Sequence, residues 1–104
     1  MDKQDYYYFK ASMVQEAALA LFALGLYDGK AIQNLQIAID GLQKGLGKMS
    51  FFLARKNVDM NTATIKVHVK NYGLKETWDK SVREKAEEYP QAIRETLIAE
   101  LIHL

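Results

Sequence analysis

An apolar run of 11 residues constrains this chain more than any other stretch of its sequence. It extends from Ala17 to Tyr27 (AALALFALGLY) and contains no charged side chain. A helix that is apolar on nearly every side must be covered by other protein or by lipid. The run is far shorter than the about 20 residues that cross a bilayer, and its acidic flank is unlike a secretion leader. We therefore expect a helix that other protein covers, with no membrane contact.

Length and composition predict a single helical domain over residues 1–104. Hydrophobic residues make up 49% of the chain and charged residues 26%, as in ordinary folded proteins. The net charge of +1 excludes a strongly basic nucleic-acid footprint. Because the chain has no cysteine, disulfides and thiol chemistry are excluded. This composition is consistent with a cytoplasmic protein.

The apolar run belongs to a helix whose start is ambiguous in the sequence. A cap at Asp2 predicts one long helix, whereas a capping box at Ser12 predicts a short one after an extended arm. We favour the long helix because nothing between Asp5 and Ser12 would break it. Its bulky residues form two separate arcs, which implies two packing partners. One arc holds Met13, Val14, Leu21 and Leu24, and the other holds Leu19, Phe22 and Leu26.

A heptad seam predicts the second helix, after the turn signal Asp28-Gly29. Its apolar residues alternate spacings of three and four: Ile32, Leu35, Ile39, Leu42, Leu46, Met49 and Leu53. Gly41, Gly45 and Gly47 each cost up to about 1 kcal/mol relative to alanine in a helix. They indicate either a close helix approach or a bend. Because the seam keeps its phase through all three, we favour one continuous or gently bent helix over residues 30–56.

Residues 64–70 (TIKVHVK) alternate apolar and polar side chains, several of them β-branched, which predicts a strand. Asn57 to Asn61 before it predict a loop. A strand needs a partner, which would be residues 6–9 or a second copy of the chain, unless surrounding helices override the propensity. Two more helices are expected around Pro90, over residues 74–89 and 91–104. The fold class is therefore mainly α, a compact bundle of about four helices to which residues 64–70 could add a short strand.

No catalytic constellation is recognisable. Glu100 and His103 have the spacing of half a di-iron site, but a second pair is lacking. His68 lies between two lysines with no carboxylate nearby in sequence. We expect neither an enzyme nor a bound cofactor or metal.

An excess of apolar helical surface predicts a non-catalytic protein–protein interaction protein: an adaptor, inhibitor or chaperone-like regulator that forms a homodimer. Its protein partner is not identifiable from the sequence. The expected interaction residues are Leu19, Phe22, Leu26, Phe52 and Trp78. The alternative is a nucleic-acid-binding regulator that uses the basic side of the 30–56 helix, through Lys44, Lys48, Arg55 and Lys56. A net charge near zero disfavours this alternative.

The segment Leu26-Tyr27-Asp28-Gly29, followed by an amphipathic helix, resembles a stretch of the flagellin export chaperones, which are also small helical bundles. The resemblance covers four residues and a pattern, and it does not extend through the rest of the chain. It assigns no family.

Overall fold

Five helices make up the computed structural model, which describes residues 3–43 and 49–102. They are α1 (Lys3–Ala23), α2 (Gly29–Leu42), α3 (Phe51–Asn71), α4 (Lys75–Ala86) and α5 (Gln91–Ile102). Within the described ranges no residue is in a strand. The expected mainly α fold is confirmed, with five helices rather than about four. The radius of gyration of 13.2 Å matches the about 13 Å of a compact domain of this length.

The long first helix is confirmed, since α1 begins at Lys3. The Ser12 hydroxyl does not cap a helix start and instead donates to the Tyr8 carbonyl one turn earlier. The helix ends in a Schellman motif, in which Leu26 N–H donates to Leu21 O and Gly25 N–H donates to Phe22 O. Gly25 has a φ of +74°, a conformation that glycine adopts without strain. The end of the apolar run is thus set by Gly25.

The predicted continuous helix over residues 30–56 is wrong. α2 ends at Leu42, and α3 begins after a new cap at Ser50, whose hydroxyl accepts from Leu53 N–H at 3.2 Å. A Cβ at Gly41 would lie 2.5 Å from the Met49 carbonyl oxygen. The close approach at Gly41 therefore comes from the returning chain, which crosses the end of α2. The described part of the apolar seam is divided between α2 and α3, and Gly45, Leu46 and Gly47 lie outside the described residues.

The strand expected at 64–70 and the loop expected from Asn57 to Asn61 are also wrong, because both lie inside α3. Ile65 and Val69, four residues apart, share the buried face of this helix, whereas Val67 is exposed. The free energy gained by burying that face exceeds the free energy by which these three β-branched side chains favour a strand. Tertiary packing overrides the local alternation.

The core lies where α1 packs on α2 and α3, and it continues between α4 and α5. Its largest fully buried side chains are Phe9, Leu35, Leu42, Ile65, Leu97, Leu101, Val14, Val58 and Val82. α5 is also held by hydrogen bonds, because three side chains donate to the carbonyls of its last turn. Lys66 binds Glu100 O, Trp78 binds Leu101 O and Lys75 binds Ile102 O. Carbonyls at a helix end have no partner within the helix, so these bonds fix α5 to α3 and α4.

None of the helices in the described part of the chain combines the length and hydropathy that a membrane crossing requires.

Candidate interaction surfaces

The apolar end of α1, which we expect other protein to cover, is exposed in the single chain. Leu19, Phe22 and Leu24 expose between 48% and 67% of their surface, and Ala20 and Ala23 between them are also exposed. We call these five residues the α1 patch. Met13, Val14 and Leu21 of the first predicted arc are buried, whereas Leu24, which was placed in the same arc, is exposed. In the second arc Leu26 is half-buried, and Leu19 and Phe22 are each about half exposed, with the Phe22 ring beside Gly29 at the start of α2.

An apolar groove between α1 and α4 continues the α1 patch. It has a volume of about 380 Å³. Its apolar lining comprises Met13, Ala17, Ala20, Leu21, Leu24, Val69, Leu74 and Trp78, and its polar lining comprises Glu16, Thr77 and Ser81. Trp78, one of the expected interaction residues, is only 5% exposed, and its indole N–H donates to Leu101 O at 2.6 Å. The tryptophan is therefore a core residue that reaches only the floor of the groove.

A second exposed apolar face lies on α3, directly opposite the side that faces the core. Phe52, Leu53, Met60 and Val67 expose between 54% and 69% of their surface. Leu53, Met60 and Val67 are seven residues apart, so they lie in one row along the helix. Lys56, Ala63 and Lys70 complete this row and are exposed as well. We call these seven residues the α3 outer face.

The basic residues expected to contact nucleic acid do not form one surface in the described structure. Lys44 and Lys48 lie outside the described residues. The Arg55 guanidinium lies over the rings of Tyr7 and Phe51, at 5.1 and 5.5 Å from their centroids, and its Nε is shielded from solvent. Lys56 lies over the Phe52 ring at 4.9 Å on the outer face. Arg55 and Lys56 thus point to different sides of α3.

A buried lysine, which the sequence interpretation missed, joins three helices. The side chain of Lys10 is 9% exposed, and its Nζ lies 3.0 Å from Asp59 Oδ1 on α3 and 3.5 Å from Glu100 Oε2 on α5. Two phenols complete the network, since Tyr6 donates to the Glu100 carboxylate and Tyr7 donates to Asp59 at 3.1 Å. Each carboxylate therefore has one cation and one hydroxyl as partners.

Burial sets the protonation of this network. It raises the pKa of Tyr6, and the hydrogen bond to the Glu100 carboxylate raises it further. The pKa of Tyr7 is raised by burial and then by its bond to Asp59. The pKa of Lys66, which borders the network, is lowered by burial and then by repulsion from Lys10. The phenols therefore stay protonated and donate at neutral pH, and the network connects helices without offering a nucleophile.

A pocket of about 530 Å³ with both apolar and polar lining lies between the α1–α2 turn and α3. The Tyr27 hydroxyl donates to Asn61 Oδ1 at 2.5 Å, and the Asn61 amide donates to Asn57. The His68 ring meets the Tyr27 and Tyr72 rings edge-on, with centroids 5.8 Å apart in each case. Its Nδ1 is shielded and has no hydrogen-bond partner among the described residues. His68 is thus held by aromatic contacts and not by the carboxylate that a general base requires for orientation.

No group of three or more histidine and acidic side chains within the described ranges is arranged to hold a metal ion. Glu100 is engaged by Lys10 and Tyr6, and His103 lies outside the described residues.

Comparisons with protein-family models, with curated proteins and with solved structures find no match to this chain. Its function therefore has to be inferred from its own surfaces.

Proposed function

We propose that this chain is a non-catalytic protein–protein interaction protein of the cytoplasm that acts as a homodimer through the α1 patch. The observation that carries this proposal is the exposure of Leu19, Phe22 and Leu24 at the end of a helix whose opposite side is buried in the core. Three such side chains expose on the order of 300 Å² of apolar surface. Contiguous patches of that size are often functional sites on folded proteins.

The α1 patch is suited to contact with a copy of itself. A twofold interface brings the same surface from both subunits together, so a charged surface would meet its own charge. The sequence from Ala17 to Tyr27 carries no charge, and that penalty is therefore absent. Ala20 and Ala23 are the small residues that allow two helices to approach closely.

The groove beside the patch supplies the remaining area. A stable interface buries about 800 Å² on each partner, more than the α1 patch alone offers. The groove between α1 and α4 adds apolar surface from Leu74 and the edge of Trp78. Glu16, Thr77 and Ser81 line it as well and supply the polar rim that is typical of such interfaces.

Light scattering and sedimentation of the purified chain test the proposal. We expect a dimeric mass at micromolar concentration and a monomeric mass for Leu19→Glu, because two buried glutamates would face each other across the twofold axis. Leu53→Glu on α3 is the matched control, since Leu53 is exposed to a similar extent, and it should remain dimeric. A monomeric mass for the unmodified chain, or dissociation by Leu53→Glu alone, would overturn the proposal.

A further inference from the structure

The α3 outer face carries apolar residues in a spacing that matches one particular kind of partner. Leu53, Met60 and Val67 are separated by whole heptads, and the row from Leu53 to Val67 extends about 21 Å along the helix axis. A helix lying along such a row would place its own apolar residues between these three at every second turn. A strand or an irregular segment has no matching period. The geometry therefore fits a helix of about four turns.

The charges around this row are unbalanced. α3 carries one carboxylate, Asp59, and four cations, of which Arg55 lies over the Tyr7 ring and Lys66 donates to Glu100 O, both away from the row; the other two are Lys56 and Lys70. Asp59 and the neighbouring Glu100 are both engaged by Lys10, which leaves their negative charge paired. Lys56 and Lys70 lie exposed at the row itself. Among the described residues the outer face is therefore apolar with a positive margin.

A second copy of α3 fits this face poorly. Two copies of α3 could pair antiparallel, with the twofold axis between Asn61 and Thr62. Lys56 of one copy would then lie opposite Val67 of the other copy, one helical turn away from that copy's Lys70. In a parallel pair, Lys56 would face Lys56 and Lys70 would face Lys70. Both arrangements bring lysines together, and like charges across an interface select against that pairing.

We propose that the α3 outer face is the docking site for an acidic amphipathic helix of another protein. Its apolar residues would interlock with Leu53, Met60 and Val67, and its flanking glutamates or aspartates would meet Lys56 and Lys70. This inference adds a partner class to the interaction function proposed above. It uses a different helix from the α1 patch, so each proposal can fail without the other.

Binding of synthetic helices to the full chain tests the docking site by fluorescence anisotropy. The first probe is a labelled peptide of about 21 residues, with leucine at the seam positions and glutamate beside them. The second is the same peptide with lysine in place of glutamate. We expect the acidic peptide to bind at least about tenfold more tightly than the basic one, with the difference shrinking between about 0.05 and about 0.5 M salt.

Single substitutions locate the site. Met60→Ser should weaken binding of the acidic peptide at least about tenfold. Leu24→Ser in the α1 patch is the matched control because Leu24 and Met60 are 67% and 69% exposed, and it should leave binding unchanged. Lys56→Glu should narrow or reverse the preference for the acidic peptide. Circular dichroism of each variant confirms that the helices are intact.

Four results would overturn the docking site. They are absence of acidic-peptide binding, equal binding of the two peptides, loss of binding in Leu24→Ser but not in Met60→Ser, and displacement of the acidic peptide by a single-stranded oligonucleotide. A dimer that Met60→Ser dissociates would show instead that a second copy covers this face.

Discussion

Along α1, the first half places a lysine and two aromatic side chains in the interior, whereas the last two turns expose large apolar side chains on one side. Tyr6, Phe9 and Lys10 lie in the interior, while Leu19 and Phe22, two to three turns later, are about half exposed. The first half lies against α3 and the last turn of α5, which bring Asp59 and Glu100 to Lys10. The second half extends past these elements. Position relative to neighbouring helices, and not composition, decides which half is covered.

This contrast shows that a helix segment with polar side chains can be buried when each buried polar group has a charged or hydrogen-bonding partner. Lys10 is tolerated in the interior because two carboxylates and the rings of Tyr6 and Tyr7 surround its ammonium group. The apolar half has no such requirement and stays folded with one side in water. It is consequently the half that is available to another molecule.

The two phenylalanines of α1 give the sharpest test of the contrast. Phe9 is fully buried and its ring contacts Tyr89, with the centroids 3.9 Å apart. We expect Phe9→Ala to lower the free energy of unfolding by about 3–5 kcal/mol. Phe22→Ala should change it by less than about 1 kcal/mol in the monomer, because Phe22 is half exposed. Urea denaturation of both variants measures the difference, and equal losses would show that the second half of α1 is covered after all.

Lys10 gives the second-largest expected effect. Lys10→Met keeps the length of the side chain but removes the cation between Asp59 and Glu100. Because each carboxylate remains about half exposed, water would recover part of the lost interaction, and we expect a loss of about 2 kcal/mol. Lys80→Met on the exposed side of α4 is the control and should stay within about 0.5 kcal/mol of the unmodified chain. If both substitutions cost the same in urea denaturation, the Lys10 network does not stabilise the fold.

Alkaline pH should produce a smaller effect in the same half of the helix. The pKa values of Tyr6 and Tyr7 are raised above the ordinary value of 10.0, so above pH 10 the unfolded chain loses phenol protons that the folded chain keeps. Stability therefore falls as pH rises, by about 1 kcal/mol from Tyr6 alone between about pH 10 and 11. The lowered pKa of Lys66 acts in the opposite direction up to 10.5. In urea titrations the decline should be shallower for Tyr6→Phe, and an unchanged slope would argue against its bond to Glu100.

Much of the architecture could be predicted from the sequence, because long apolar periodicities and helix breakers are local signals. The long α1 and the break at Pro90 followed from such local signals. The strand prediction at 64–70 was wrong because the alternation of Ile65, Val67 and Val69 is also compatible with a helix. In that helix Ile65 and Val69 face the core and Val67 faces water. The prediction of a continuous second helix was wrong because the seam shows only which residues are apolar. It contains no signal that the chain turns back and passes close to Gly41.

The surfaces were less predictable than the fold. Leu19, Phe22 and Phe52 were expected at an interface and are exposed, whereas Trp78 is a core residue. The sequence gives no signal for the Lys10 network, since Asp59 and Glu100 are 49 and 90 residues away and meet only after three helices have packed. The α3 outer face could not be recognised from the strand prediction. In a strand Val67 and Ile65 would lie on the same side, whereas in α3 they lie on opposite sides.

The hydrogen bonds at the end of α5 determine how this part of the molecule unfolds locally. Lys66, Trp78 and Lys75 hold three successive carbonyls of its last turn, whereas the last turn of a helix ordinarily frays by itself. α5 cannot loosen without releasing donors on α3 and α4 together. We therefore expect amide protons near its end to exchange with solvent in one cooperative step with those of α3 and α4.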